Sequence, residues 1–229
     1  TDVDAIGNFD FLGNVKSSGT YTFANKIDLG AAFSLDLQRR FVTRGFLPAD
    51  LIDNRTTYID TWADFDGGVI NNVNAILEVR TTNDDPASGG ASWGSWQNFA
   101  NGTFKGRGFD FRTTLTSTDV DENIIVDELG YTASLQTRTE QSTGLVASGA
   151  GTKTITFGKA FFTGTSALGG GTSAYLPSVG INVNNMASGD YIQMGTVTGT
   201  QFQVTFKNSS GSSVDRNFTW SVVGYGKGV

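Results

Sequence analysis

The side chains best equipped for chemistry in this 229-residue chain are oxygen donors and indoles. Asn83-Asp84-Asp85 sets two adjacent carboxylates beside an amide. Such a group could begin a Ca²⁺ site, with Asp84 and Asp85 as ligands, but calcium takes roughly six to eight oxygens and the rest are not identifiable. Asn and Asp also suit a tight turn, and Pro86 fixes its exit, so a hairpin turn is the stronger reading and no cofactor is expected. A second acidic stretch, Asp119–Asn123, is followed by Asp127 and Glu128. It lacks the glycine and terminal glutamate of a calcium-binding hand and reads as a solvated loop entering a strand. On that strand Asp127 and Glu128 would point to opposite faces, which makes them a poor acid–base pair. Trp93, Trp96 and Phe99 could stack on sugar rings, yet their three-residue spacing does not match strand alternation, and a role as plugs for a sheet edge is favoured. Trp93 stays a contact candidate. The best ligand candidates are Asn182, Asn184, Asn185, Asp190 and Tyr191: amides and a phenol suit sugar hydroxyls, and Asn182 and Asn184 share one face of a strand opposite Ile181 and Val183. Tyr175 closes a glycine-rich loop, Gly164–Tyr175, with no Lys-Ser/Thr to cradle phosphate, so a surface contact loop is expected. The loop Ala87–Trp96 is a further contact candidate.

No catalytic residue stands out. The chain has no histidine and no cysteine. Imidazole bases, Ser-His-Asp arrangements, disulfides and thiolate metal sites are therefore excluded. Carboxylate-only glycoside hydrolysis needs two acids across one cleft, and no spacing among the 22 acids marks such a pair. A net charge of −6 disfavours nucleic acid and anionic lipid. No apolar run approaches the ~20 residues of a membrane helix, so no membrane insertion is expected. The opening Thr1-Asp2-Val3-Asp4 carries neither initiator Met nor signal peptide, which suggests a piece of a longer protein.

The elements that must position these residues are strands. Thirty glycines with three prolines fit many short strands joined by tight turns. Arg107–Leu115, Gln201–Lys207 and Asn217–Val222 alternate apolar and polar residues, as half-buried antiparallel strands do. Further strands are expected at Thr20–Leu29, Ala32–Val42, Thr56–Trp62, Val73–Thr81, Asn123–Leu135, Thr154–Ala160, Ser178–Asn184 and Tyr191–Val197, with one helical turn near Pro48–Ile52. The polar, small-residue stretch between Gln136 and Lys153 reads as a boundary. The expected organisation is all-β: a β-sandwich domain over residues 1–137, a linker over 138–152 and a smaller β-sandwich domain over 153–229.

Three series, Leu77–Pro86, Trp93–Phe99 and Gly102–Arg112, continue into Leu115-Thr116-Ser117 and Ile125–Leu129. Their order resembles the C-terminal region of tail-tip host-specificity proteins, the central tail fibres of long-tailed phages, over residues 56–135. The resemblance implies a jelly-roll, carbohydrate-binding-module-like sandwich in a binding and structural virion part rather than an enzyme. Gly19–Phe23 and Ile27–Gly30 look like its opening strands. Thr154–Phe161, Leu176–Ile181, Gln201–Phe206 and Phe218–Gly226 are similar to H-type lectin-like domains, which implies a six-stranded sandwich assembled as a homotrimer. A core of ~80 residues also gains stability from oligomerisation. The function these likenesses imply is multivalent attachment, from an extracellular virion tail, to a host cell-surface glycan or outer-membrane protein, with other phage tail proteins upstream. The rival readings are a polysaccharide-degrading tailspike enzyme, a purely structural fibre domain, and a secreted bacterial lectin or adhesin.

Overall fold

The computed structural model of the chain describes residues 15–47, 56–62, 70–164 and 175–228. Alternation of apolar and polar residues governs it throughout: among the described residues the chain forms strands and one short 3-10 turn, and every strand pairing is antiparallel.

The first sheet has seven strands: β1 (Ser18–Thr22), β2 (Ile27–Phe46), β3 (Val73–Thr82), β4 (Gln97–Asn98), β5 (Gly102–Ser117), β6 (Asn123–Leu135) and β14 (Lys227–Gly228). The 20-residue β2 is long enough to pair with β5 over its first half and β6 over its second. A register shift between Asp28 and Phe33 bends it, and Gly30 adopts φ 76° there, which residues with a Cβ rarely tolerate. Leu77 and Val79 of β3, Phe109 and Phe111 of β5, and Leu35 and Leu37 of β2 fill the first core. Tyr131 of β6 stacks on Phe111 with centroids 4.1 Å apart and planes at 18°. Each such apolar side chain contributes roughly 1.5–3 kcal/mol of burial.

Two further sheets face each other across a second core. One has β7 (Thr137–Gln141), β8 (Val146–Ala147), β10 (Ser178–Val183) and β13 (Asn217–Tyr225); the other has β9 (Lys153–Thr156), β11 (Tyr191–Val197) and β12 (Gln201–Lys207). Phe202, Val204 and Phe206 of β12 meet Phe218 and Val222 of β13, all fully buried. The two-residue alternation of β12 and β13 thus sends one row inward and leaves Thr219, Ser221, Val223 and Tyr225 of β13 on the outside.

Several expectations change. Thr56–Trp62 is not a strand: Ile59–Thr61 forms a 3-10 turn, with Thr61 N donating to Tyr58 O at 2.9 Å. Thr61 Oγ1 also donates to Tyr58 O at 2.6 Å, a local bond that competes with sheet pairing. The stretch 138–152, expected as a linker, supplies most of β7 and all of β8, both hydrogen-bonded to β13. Thr139 and Gln141 are polar because they face outward on β7, not because the chain lacks pairing there. The helical turn at Pro48–Ile52 lies outside the described residues, as does the Gly164–Tyr175 loop apart from its two ends.

The two cores meet. Phe162, just after β9, is buried in the first core, and β14 returns from β13 to pair with β2 through Lys227↔Ser34. Gly226 makes that return possible: its φ is 92°, and a Cβ there would lie 2.7 Å from the Phe33 ring.

Candidate functional site

Sugar-type recognition needs polar side chains whose donors and acceptors are not already spent, and the sequence candidates divide on that test. Asp190 is spent. Its side chain is 2% exposed and accepts from Arg216 Nε at 2.7 Å and Ala187 N at 2.8 Å. The Ala187 amide, aided by Arg216, holds its carboxyl below the usual value of 3.8. Asn185 Oδ1 accepts from Asn217 N at 2.8 Å, and Asn184 N donates to Asn217 O at 2.9 Å. These residues clasp the β10–β11 connection onto the start of β13. Asp84 Oδ2 accepts from Ser92 N, Asp85 Oδ1 accepts from Ala87 N, and Asp85 also pairs with Arg107 at 3.0 Å. Both carboxylates therefore brace the turn. No group of three or more potential metal-ligating side chains occurs among the described residues.

Trp93 is likewise engaged. The Arg80 guanidinium lies 4.8 Å from its ring centroid and Lys26 Nζ 5.1 Å. Trp96 covers Arg80 and Arg112, each at 4.4 Å. Beneath them, β3 and β5 present the register pairs Glu78↔Arg112 and Arg80↔Asp110 on the face away from the core. Arg112 Nε donates to Glu78 Oε2 at 2.6 Å, and Arg80 Nη2 to Asp110 Oδ2 at 2.7 Å. The Arg112 hydrogen bond, against some burial, keeps the Glu78 carboxyl below its ordinary range. The indoles so form a lid over paired charges, a structural use of residues that resembled a sugar platform.

Asn182 remains free, and β-pairing surrounds it with residues that the sequence did not single out. On the outer face of the four-stranded sheet, Asn182 sits opposite Thr219, and Gly180 opposite Ser221, itself opposite Gln141. Directly paired residues point to the same side, so these side chains converge. Gly180 has no side chain to fill the middle, and a hollow of about 460 Å³ lies there. Asn182, Thr219, Ser221 and Gln141 make no side-chain hydrogen bond within the described residues. Ser142 borders the hollow and is fixed to β13 by two bonds to the Trp220 backbone.

An aromatic pair completes the face. Tyr225, two residues beyond Val223 on the same outer row, is 43% exposed and meets Tyr175 edge-to-face at 5.9 Å. From Thr219 to Tyr225 the row runs about 20 Å, at the rise of an extended strand. None of its side chains carries a charge. No family model, curated protein or solved structure matches the chain. The face carries amide and hydroxyl groups at one end and two phenol rings at the other. Tyr191, by contrast, projects from β11 in the opposite sheet, and the structure does not bring it to Asn182. Thr219 and Ser221 were readable as the outward residues of an alternating strand. Gln141 was not, because the residues around it read as a linker.

Proposed function

We propose that this chain is a non-catalytic receptor-binding segment of a phage tail tip or tail fibre, built as two β-sandwich domains and assembled as a homotrimer in the virion. It attaches to a host cell-surface glycan through the neutral face that joins Tyr175 and Tyr225 to Asn182, Thr219, Ser221 and Gln141. The observation that carries this reading is the alignment of four unpartnered amide and hydroxyl side chains with two exposed phenol rings on one uncharged surface. Such groups satisfy sugar hydroxyls while the rings cover their apolar C–H faces. A polysaccharide-cleaving role would require paired carboxylates at the same surface, and the side chains that make up this face are uncharged.

The homotrimer has support of its own. Ile192 and Met194 of β11 are registered with the buried Phe206 and Val204, so they share the core-facing side. They are nonetheless 38% and 42% exposed, because β11 is the edge strand and the core ends there. Another copy packed on that margin would cover them, and three copies would raise weak single-site contacts to firm attachment. The test is adsorption: purified chain added to host cells should bind them and block attachment of the intact phage. Saturable binding to isolated surface polysaccharide supports the glycan reading. Binding to outer-membrane protein alone would move the receptor to protein, and no binding to any envelope fraction would sink the proposal.

A further inference from the structure

A second hollow opens beside the first core, where Leu77 and Phe99 line it. It is a cleft of about 830 Å³ between the middle of β2 and the β3–β4 region. Phe41, Leu77 and Phe99 form its apolar surfaces, and Arg39 stands in it.

Arg39 is anomalous in two ways. The core-facing row of β2 runs Leu35, Leu37, Arg39, Phe41, so an arginine occupies a position where the pattern calls for an apolar residue. Its register partner confirms the side: Arg39 pairs with Tyr131, whose ring stacks on the buried Phe111. Secondly, every other arginine among the described residues has a carboxylate partner: Arg40, Arg44, Arg80, Arg107, Arg112, Arg138 and Arg216. The Arg39 guanidinium has none among the described residues, in a protein of net charge −6 that holds acids in excess. The other charges lining the cleft, Arg40 and Glu128, are opposed at 3.8 Å and offset each other. Arg39 is exposed at this cleft, so its unspent guanidinium is open to a carboxylate from outside, which it can hold with two parallel hydrogen bonds.

The cleft also restricts what the anion is attached to. Asn101 Oδ1 accepts from Arg39 N at 2.6 Å, which ties β2 to the turn before β5 and leaves the Asn101 amide NH₂ at the cleft. The Asn98 side chain stands beside it. One guanidinium, two amides and a phenyl ring suit a compact ring that bears a single carboxylate and several hydroxyls. We propose that this cleft binds a uronic-acid residue, with its carboxylate on the Arg39 guanidinium, its ring against Phe41 and its hydroxyls on Asn98 and Asn101. This site is independent of the neutral face, and either can fail without the other.

The experiment titrates the full chain with trigalacturonate and, separately, with its methyl ester, which keeps the rings and removes the charge. Calorimetry and amide NMR shifts provide the two readouts. Trigalacturonate should bind saturably, shift the amides of Arg39–Val42 and Asn98–Asn101, and bind at least about tenfold more tightly than the ester, the factor a charge-assisted hydrogen bond carries. Arg39→Gln should lose that factor and Arg39→Lys should retain part of it. The NMR map on the wild-type chain needs no variant, so it stands even if Arg39→Gln does not fold. Equal binding of acid and ester, shifts confined to other regions, an unaffected Arg39→Gln, or no saturable binding would each overturn the proposal.

Discussion

Phe33 and Phe162 meet edge-to-face, with centroids 5.9 Å apart and planes at 88°. One belongs to the long strand of the first sheet and the other to the segment that follows β9, so the first core is completed by a residue from the chain that builds the second. Phe162→Ala should therefore loosen the first core although its neighbours in sequence serve the second. The expected cost is about 3–5 kcal/mol, the range for removing a buried aromatic ring. Denaturant melts checked by circular dichroism would show it. A loss under 1 kcal/mol or so would mean that the contact between the cores carries little of the stability.

Asp110 is fully buried with Arg80 as its cation partner, under the Trp93–Trp96 lid. Asp110→Ala leaves Arg80 unpaired there and should destabilise the chain by about 3 kcal/mol. Replacing both residues with apolar ones of similar volume, Asp110→Leu with Arg80→Met, should recover most of that loss, since the penalty belongs to the unpaired charge. Equilibrium unfolding of the two single variants and the double variant measures the difference.

The Asp190 carboxyl has a folded pKa below 3.8, set by the Ala187 amide with Arg216 beside it. A depressed carboxylate stabilises the fold above its unfolded pKa and loses that contribution as pH falls through the folded one. The wild-type chain should lose thermal stability as pH falls below about 4, and Asp190→Asn should flatten that part of the profile while lowering stability at neutral pH. A profile unchanged by Asp190→Asn would contradict the clasp on the β10–β11 connection.

Calcium should make no difference to stability. Asp84 and Asp85 already accept backbone amides and an arginine. Differential scanning calorimetry with excess Ca²⁺ and with chelator should give the same melting temperature. A rise with Ca²⁺ would restore these residues as ligands.

If copies pack on the β11 margin, sedimentation equilibrium should report a trimer, and Ile192→Glu with Met194→Glu should yield monomers that keep the strand-rich circular dichroism spectrum. A monomeric wild-type chain would remove the trimer.

What the sequence made legible followed from alternation. β12 and β13 could be placed because Phe202, Val204 and Phe206, then Phe218 and Val222, recur at every second position and are the residues buried. β7 was hidden because three of its five residues, Thr137, Thr139 and Gln141, are polar and exposed, so nothing separates it from a loop until β13 pairs with it. Glu122 was read as part of a solvated loop, yet it is 5% exposed and accepts from the backbone amides of Asn71 and Asn72. Local sequence cannot reveal an anchor some 50 residues away. The candidate site divided similarly. Asn182 lay on the outward row of its strand as expected, whereas Gln141, Thr219 and Ser221 joined it only through cross-strand register. Asp190 and Asn185 looked equally suitable and are consumed by Arg216 and Asn217.

The neutral face is the centre of this account, and one measurement addresses it most directly: the dissociation constant for purified host surface glycan, compared between the wild-type chain and the double variant Asn182→Ala, Tyr225→Ala. Both side chains are exposed, so folding should be retained. The expected result is affinity weakened by about tenfold or more with an unchanged melt. Equal affinity in the folded variant would contradict attachment through this surface.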